Sequence, residues 1–145
     1  MTFRFTLQKL LTVKENEKNE LEREYQRAYI DFEKIAKVLY AFMKQKEYLE
    51  ELRSKHMGKG AVVGRIQNLQ FDLERLEEKI RRHEALFLDA RQIAERMKAR
   101  LLERSIDVKR YEKLKDIEYE QFLKKLKAEE MSRMDEISTT RYAHR

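Results

Sequence analysis

The chain contains three glycines and no proline, and all three glycines fall within one octapeptide, Met57-Gly-Lys-Gly-Ala-Val-Val-Gly64. Glycine and proline are the residues that most often turn a chain, so this chain has one obvious place to reverse direction. Sheets, sandwiches and nucleotide-binding α/β folds need many short turns and are therefore disfavoured. The sequence predicts two long helical segments joined by a single turn.

Both segments carry apolar residues at alternating spacings of four and three, which is typical of a left-handed coiled coil. In the first segment the positions of this stripe are Leu7, Leu11, Lys14, Lys18, Leu21, Tyr25, Ala28, Phe32, Ile35, Leu39, Phe42, Lys46, Leu49, Arg53 and His56. In the second they are Ile66, Leu69, Leu73, Leu76, Ile80, His83, Phe87, Ala90, Ala94, Met97, Leu101, Arg104, Val108 and Tyr111. A helix with such a stripe needs a partner, because an isolated one would leave the stripe in water.

We expect the two segments to be partners, with residues at equal distances from Ala61 lying opposite one another. This register places Leu49 opposite Leu73 and Phe42 opposite Ile80. Further out it pairs large side chains with small or flexible ones, as interdigitating layers require. The predicted fold is therefore all-α, an antiparallel two-helix coiled-coil hairpin forming a single domain.

The expected boundaries are a first helix over about 5–56, a turn over 57–64, a second helix over about 65–140, and a short flexible C-terminal tail. In this register Phe5 lies near Ile117, so the second helix is longer and overhangs the first. The overhang still carries apolar residues, namely Tyr119, Phe122, Leu123, Leu126, Met131, Met134 and Ile137. Either another protein covers this stripe, or the overhang self-associates or frays; the sequence leaves both open.

Charged residues also occupy stripe positions toward the open end of the hairpin. These are Lys14, Lys18, Arg104 and the neighbouring Lys115. A buried unpaired charge is costly, so we expect these side chains to extend toward solvent or the helices to separate there. The open end should accordingly be the looser part.

No arrangement of residues in the sequence indicates catalysis or a cofactor. The glycine segment does not match a phosphate-binding loop, and no strand precedes it. His56, His83 and His144 lack metal-ligand spacing, and there is no cysteine. We therefore expect no enzymatic activity, no cofactor and no small-molecule substrate.

The charge pattern argues against nucleic-acid binding. The chain has 33 Lys and Arg against 27 Asp and Glu, a net charge of +6. Nine basic and four acidic residues fall between Arg91 and Lys115, but signs alternate throughout, unlike the contiguous basic block of a basic-zipper protein. We interpret this stretch as a solvated helix face, with an acidic partner as the alternative.

Two features of the sequence bear on membrane association. No stretch of about 18 apolar residues is present, and charge interrupts any signal-peptide run, so we expect a cytoplasmic protein. Phe3 and Phe5 could form an interfacial segment. Packing on the second helix is the preferred interpretation, because Tyr111, Leu114 and Ile117 lie opposite.

Several short motifs, in order along nearly the whole chain, resemble the family of the bacterial flagellar export protein FliJ. The opening Phe3-Arg-Phe-Thr-Leu7 and the following Val13-Lys14-Glu15 are similar to the start of that family. The turn Met57-Gly-Lys-Gly60 lies where the family has its own turn. The residues Leu76-Glu77, Ile80 and His83, and later Met134-Asp135-Glu136, resemble further family motifs.

The resemblance implies a nonenzymatic component of the flagellar type III export apparatus, with a shape like the central stalk of rotary ATPases. Its implied partners are the export ATPase hexamer, the cytoplasmic domain of the membrane export gate, and export chaperones. It would lie in the cytoplasm against the inner face of the membrane at the flagellar base. Competing interpretations are the stalk protein of a virulence-type secretion system and a generic coiled-coil adaptor.

The resemblance also implies two groups of contact residues. For the export gate these are Phe42, Leu49, Leu76 and His83, of which Leu76 and His83 match the family motif and the other two keep only apolar character. For the ATPase ring they are Phe3, Phe5, Phe122, Leu126, Met134, Asp135 and Glu136. The gate residues also occupy stripe positions, so a structural role competes with a contact role.

Overall fold

A computed structural model describes residues 2–60 and 62–144. Helix α1 covers Gln8–Gly58 and helix α2 covers Val63–Ala143, and the described residues include no strand. The helices pack against each other, and α2 is the longer, with 81 residues against 51. The predicted all-α fold of two antiparallel helices is confirmed.

The chain reverses within the glycine segment. Helix α1 ends at Gly58, two residues beyond the expected His56, and Gly60 has a φ of 65°. This left-handed conformation carries a steric cost for residues with a Cβ, which explains the glycine. Helix α2 begins at Val63, and the carbonyl of the preceding Val62 accepts from the amide of Arg65 at 3.0 Å. Ala61, on which the register was centred, lies outside the described residues.

The contacts divide the chain into two compact units. We call residues Leu21–Leu101 the turn unit, and the residues through Glu20 together with those from Leu102 onward the terminal unit. Each unit contains a part of α1 and a part of α2, and each has its own buried core.

The core of the turn unit is a cluster of Leu39, Leu76 and Ile80. Leu73 is buried as well, with 1% of its surface exposed. Antiparallel pairs connect the helices across this unit: Lys46 Nζ lies 3.8 Å from Glu77 Oε1, and Arg53 donates to Gln70 at 3.0 Å. These pairs agree with the register expected about Ala61.

The core of the terminal unit is formed by Phe5, Leu11 and Val108, with Phe3 and Tyr111 packed against it. Phe5 is buried but precedes the helix, which begins at Gln8 rather than near Phe5. Residues 2–5 adopt no helical conformation, and an extended segment directs alternate side chains to the same side. Phe3 and Phe5 can therefore both face α2, as the preferred interpretation expected. Leu114 and Ile117 of α2 remain exposed.

Three of the charged residues named above, Lys14, Arg104 and Lys115, have polar partners in the terminal unit. Lys115 Nζ donates to Gln8 Oε1 at 2.8 Å. Arg104 Nε lies 3.5 Å from Glu17 Oε2, which is also 4.0 Å from Lys14 Nζ. Glu17 Oε2 is buried and makes no hydrogen bond, so its stabilisation comes from these two cations. The pairing explains how cations are accommodated in the stripe.

The stripe itself is placed correctly by the heptad spacing. Every stripe position in α1 and α2 is buried or half-buried, whereas Leu7, which precedes α1, is 36% exposed. Within residues 2–60 and 62–144, neither helix contains an apolar stretch of the length that a membrane crossing requires.

Candidate partner-binding surfaces

The four residues expected at the export gate lie together in the turn unit. Phe42 and Leu49 pack against the cluster that contains Leu76. The His83 ring meets the Phe42 ring edge to face, with centroids 4.9 Å apart and planes at 81°. The structure therefore brings these residues to one place, while their contact with a gate stays a prediction.

Burial separates the four residues into two kinds. Leu76 is 5% exposed, so its side chain supports the core and offers almost nothing to a partner. Phe42, Leu49 and His83 are half-buried and leave part of their surface accessible. His83 Nδ1 lies 2.9 Å from the carbonyl oxygen of Lys79, which can only accept, so Nδ1 is the donor. This bond fixes the ring orientation and leaves Nε2 for another contact.

The residues expected at the ATPase ring fall into two sets within the terminal unit. The first set is packed: the Phe3 ring centroid lies 5.2 Å from that of Tyr119 and 5.5 Å from that of Phe122. Phe5 is buried in the core beside them. Aromatic contacts at these separations contribute beyond the area they bury, so this set anchors the N-terminal segment on α2.

The second set lies on the last part of α2. Leu126 is half-buried, and every described residue from Lys127 to His144 is exposed. Met134 is 71% exposed, and the Asp135 and Glu136 carbonyls accept from the Thr139 and Thr140 hydroxyls at 2.8 Å. This stretch keeps an intact helix with its side chains free for a partner.

Polar contacts hold the N-terminal segment in place. The Thr6 amide and hydroxyl both donate to the Glu118 carboxylate, at 3.3 to 3.4 Å. Together with the pair formed by Gln8 and Lys115, these bonds fix the segment along α2.

Two grooves border the N-terminal segment, and sequence reasoning did not predict them. The larger has a volume of about 790 Å³ and is lined by Thr2, Phe3, Arg4, Glu118, Gln121, Phe122, Lys124 and Lys125. The other, of about 680 Å³, is lined by Phe3, Arg4, Phe5, Thr6, Gln8, Lys9 and Lys115. The alternation of aromatic and polar residues in Phe3-Arg-Phe5 was the available signal, because a period of two indicates an extended segment rather than a helix.

The turn unit has an aromatic row that was also not predicted as a surface. Tyr25, Tyr29 and Phe32 follow one another along α1 with ring centroids 6.1 and 6.3 Å apart, and the Phe32 ring lies 5.0 Å from that of Phe87 of α2.

Further along α1, the Glu47 carboxylate and then Tyr40 raise the pKa of the exposed Lys44 above its ordinary value.

No group of three metal-binding side chains occurs in the part of the chain that the structure describes. What the described residues present instead are packed helices, exposed apolar stretches and charged grooves. Fold and surfaces together define an antiparallel two-helix coiled-coil protein.

Comparison with known proteins gives the family. The chain matches the family described as "Flagellar FliJ protein" over residues 3–145. It is 34% identical over 142 residues to the "Flagellar FliJ protein" of Bacillus subtilis (strain 168), covering 98% of this chain and 97% of that one. No solved structure matches it significantly. The chain belongs to the flagellar FliJ protein family.

Proposed function

We propose that this protein is a nonenzymatic component of the flagellar export apparatus that links the export ATPase ring to the membrane export gate. The terminal unit contacts the ring and the turn unit contacts the gate. The protein also assists the handling of export chaperones and substrates, and it acts in the cytoplasm at the inner face of the membrane. Family membership supports the flagellar setting of this proposal.

The observation that carries the proposal is the exposed end of α2. Helix α2 continues past the residues that meet the N-terminal segment, and everything from Lys127 to His144 is exposed. Its apolar residues include Met131, Met134 and Ile137, which are 63%, 71% and 48% exposed. A helix that keeps exposed apolar side chains is suited to a partner that surrounds or covers it.

Helix length supports a linking role. Helix α1 contains 51 residues and helix α2 contains 81, and an α-helix rises about 1.5 Å per residue. Continuous helices of this length connect distant partners with few residues, because each helix satisfies its own backbone hydrogen bonds.

Two truncations test the ATPase contact. Among the described residues, a chain ending at Lys127 loses only exposed ones, whereas a chain ending at Ile117 also loses Glu118, Tyr119 and Phe122, which hold the N-terminal segment. We expect the full chain to raise the turnover of the purified export ATPase. The chain ending at Lys127 should lose most of this stimulation while keeping its fold.

The chain ending at Ile117 shows how structural damage affects ATPase stimulation, because it also loses the residues that hold the N-terminal segment. If the chain ending at Lys127 stimulates the ATPase as well as the full chain does, the exposed end is not the contact. If the full chain neither binds nor stimulates the ATPase, the proposal fails and the adaptor interpretation gains.

A further inference from the structure

We infer that the two grooves beside the N-terminal segment receive an acidic segment that carries a large apolar side chain. This inference rests on the proposed function, because it gives the chemistry of the ATPase segment that the terminal unit contacts. Two features of the grooves carry it: their charge and their apolar floor.

The charge of the grooves is strongly positive. Five cations line them, Arg4, Lys9, Lys115, Lys124 and Lys125, against the single carboxylate of Glu118. That carboxylate already accepts from the Thr6 amide and hydroxyl, so it is partly compensated within the chain. An anionic partner is therefore the complementary one.

Most of these cations have no internal counterion. No carboxylate of the described residues lies within ion-pair distance of Arg4, Lys9, Lys124 or Lys125. Arg104 of the same unit does pair with Glu17 and Asp107, whereas Lys109 and Lys113 have no ion pair with a described residue but line neither groove. The unpaired cations beside the N-terminal segment are accordingly available to an external acid.

The floor of the grooves is aromatic. Phe3 lines both grooves and Phe122 lines the larger one. Neither ring is fully buried. A volume of about 790 Å³ accommodates one large side chain with its flanking backbone. A large apolar side chain flanked by carboxylates therefore complements both the aromatic floor and the cations that line the grooves.

A protein segment fits better than nucleic acid. A nucleic acid needs cations that follow its backbone over many phosphates. Between residues 128 and 144 the charges nearly balance, with Glu129, Glu130, Asp135 and Glu136 against Arg133 and Arg141, so the positive region does not continue along α2. The positive region is thus local and suits a short acidic peptide.

The test uses the full-length protein and a labelled fifteen-residue synthetic peptide rich in Asp and Glu with a central Phe-Leu pair. Its matched peptides replace Phe-Leu by Ser-Ser, or every acid by Lys. We expect fluorescence anisotropy to show binding of the first peptide only, weakening as salt is raised. Absence of binding, or equal binding of the Ser-Ser peptide, overturns the inference.

Two charge-reversal pairs on the same helix provide the decisive comparison. Lys124→Glu with Lys125→Glu changes the groove, and Lys109→Glu with Lys113→Glu makes the same change in net charge at exposed positions that line neither groove. We expect the groove pair to weaken peptide binding by about tenfold or more and the control pair by less than about twofold. Equal effects of the two pairs overturn the inference.

ATPase stimulation separates the inference from the proposed function. If wild type and the groove pair stimulate the ATPase equally, the proposed function stands and the inference falls. If wild type does not engage the ATPase, the proposed function fails, and peptide binding then stands as a property of the grooves alone. Preferential binding of single-stranded DNA or of anionic lipid vesicles over the peptide contradicts the inference as well.

Discussion

At the scale of single residues, leucines of the same helix differ widely in burial. Leu73 is 1% exposed, whereas Leu88, on the same helix and in the same unit, is 58% exposed. Removing a buried leucine side chain loses both its transfer free energy and its packing contacts. Residue type alone therefore does not give the cost of a substitution.

We expect Leu73→Ala to lower the free energy of unfolding by about 2–4 kcal/mol. Its matched control, Leu88→Ala, should change it by less than about 0.5 kcal/mol, because that side chain already contacts water. Urea denaturation followed by circular dichroism measures both. Similar losses for the two variants would show that Leu73 is not a core residue in solution.

Burial also decides how the gate residues are to be tested. A loss of gate binding in Leu76→Ala would be ambiguous, because Leu76 belongs to the core cluster. Substitutions at Phe42 and His83, which are half-buried and touch one another, probe a surface with less damage to the core. The sequence could not make this distinction, because the heptad spacing is the same for a buried position such as Leu76 and a half-buried one such as Phe42.

At the scale of elements, the N-terminal segment behaves differently from the helix it precedes. The heptad spacing predicted a helix from about residue 5, but the segment packs Phe3 and Phe5 on α2 before α1 begins at Gln8. The spacing of four between Leu7 and Leu11 fits a helical stripe, so periodicity alone could not show that the helix begins only at Gln8. The packing of the Phe3 and Phe5 rings against α2 accounts for the nonhelical conformation of the segment.

We expect Phe5→Ala to detach this segment, because Phe5 is 6% exposed and belongs to the terminal core. In hydrogen exchange measured by mass spectrometry, the peptide covering Gln8–Leu11 should then exchange faster, while the peptide covering Leu73–Ile80 keeps its protection. Leu10→Ala is the matched control, since Leu10 is 39% exposed. Unchanged protection at Gln8–Leu11 would contradict the anchoring role.

The register of the helix pair, by contrast, followed from the sequence. The glycine segment indicated the place of reversal, and two stripes in phase indicated the register to within about one residue, since Lys46, expected opposite Leu76, pairs with the adjacent Glu77. The partners of the charged stripe positions were not predicted. Glu17 lies outside the stripe, and its role between Lys14 and Arg104 depends on side-chain conformations that spacing does not specify.

At the scale of the whole molecule, stability and partner binding depend on different residues. The cores lie between Phe5 and Val108, while residues 127–144 are exposed throughout. A region without buried contacts adds little to the free energy of unfolding. Its exposed apolar side chains are available for recognition.

We therefore expect removal of residues after Lys127 to leave the thermal unfolding midpoint nearly unchanged, within about 2 °C. Removal of residues after Ile117 should lower the midpoint, because it takes away the aromatic partners of Phe3. Differential scanning calorimetry distinguishes the two. A large drop for the shorter deletion would indicate that the exposed end is packed in solution, for instance in a homodimer.

The antiparallel register has a consequence for how such chains can change in length. An insertion in one helix shifts the register of every residue pair between the insertion and the chain end. The original pairs are restored only if the other helix gains the same number of residues opposite the insertion. Insertions of seven residues preserve the faces of both helices. Length variation in the paired part is thus constrained to come as mirrored heptads, whereas the end of α2 beyond Lys127 is free to lengthen or shorten alone.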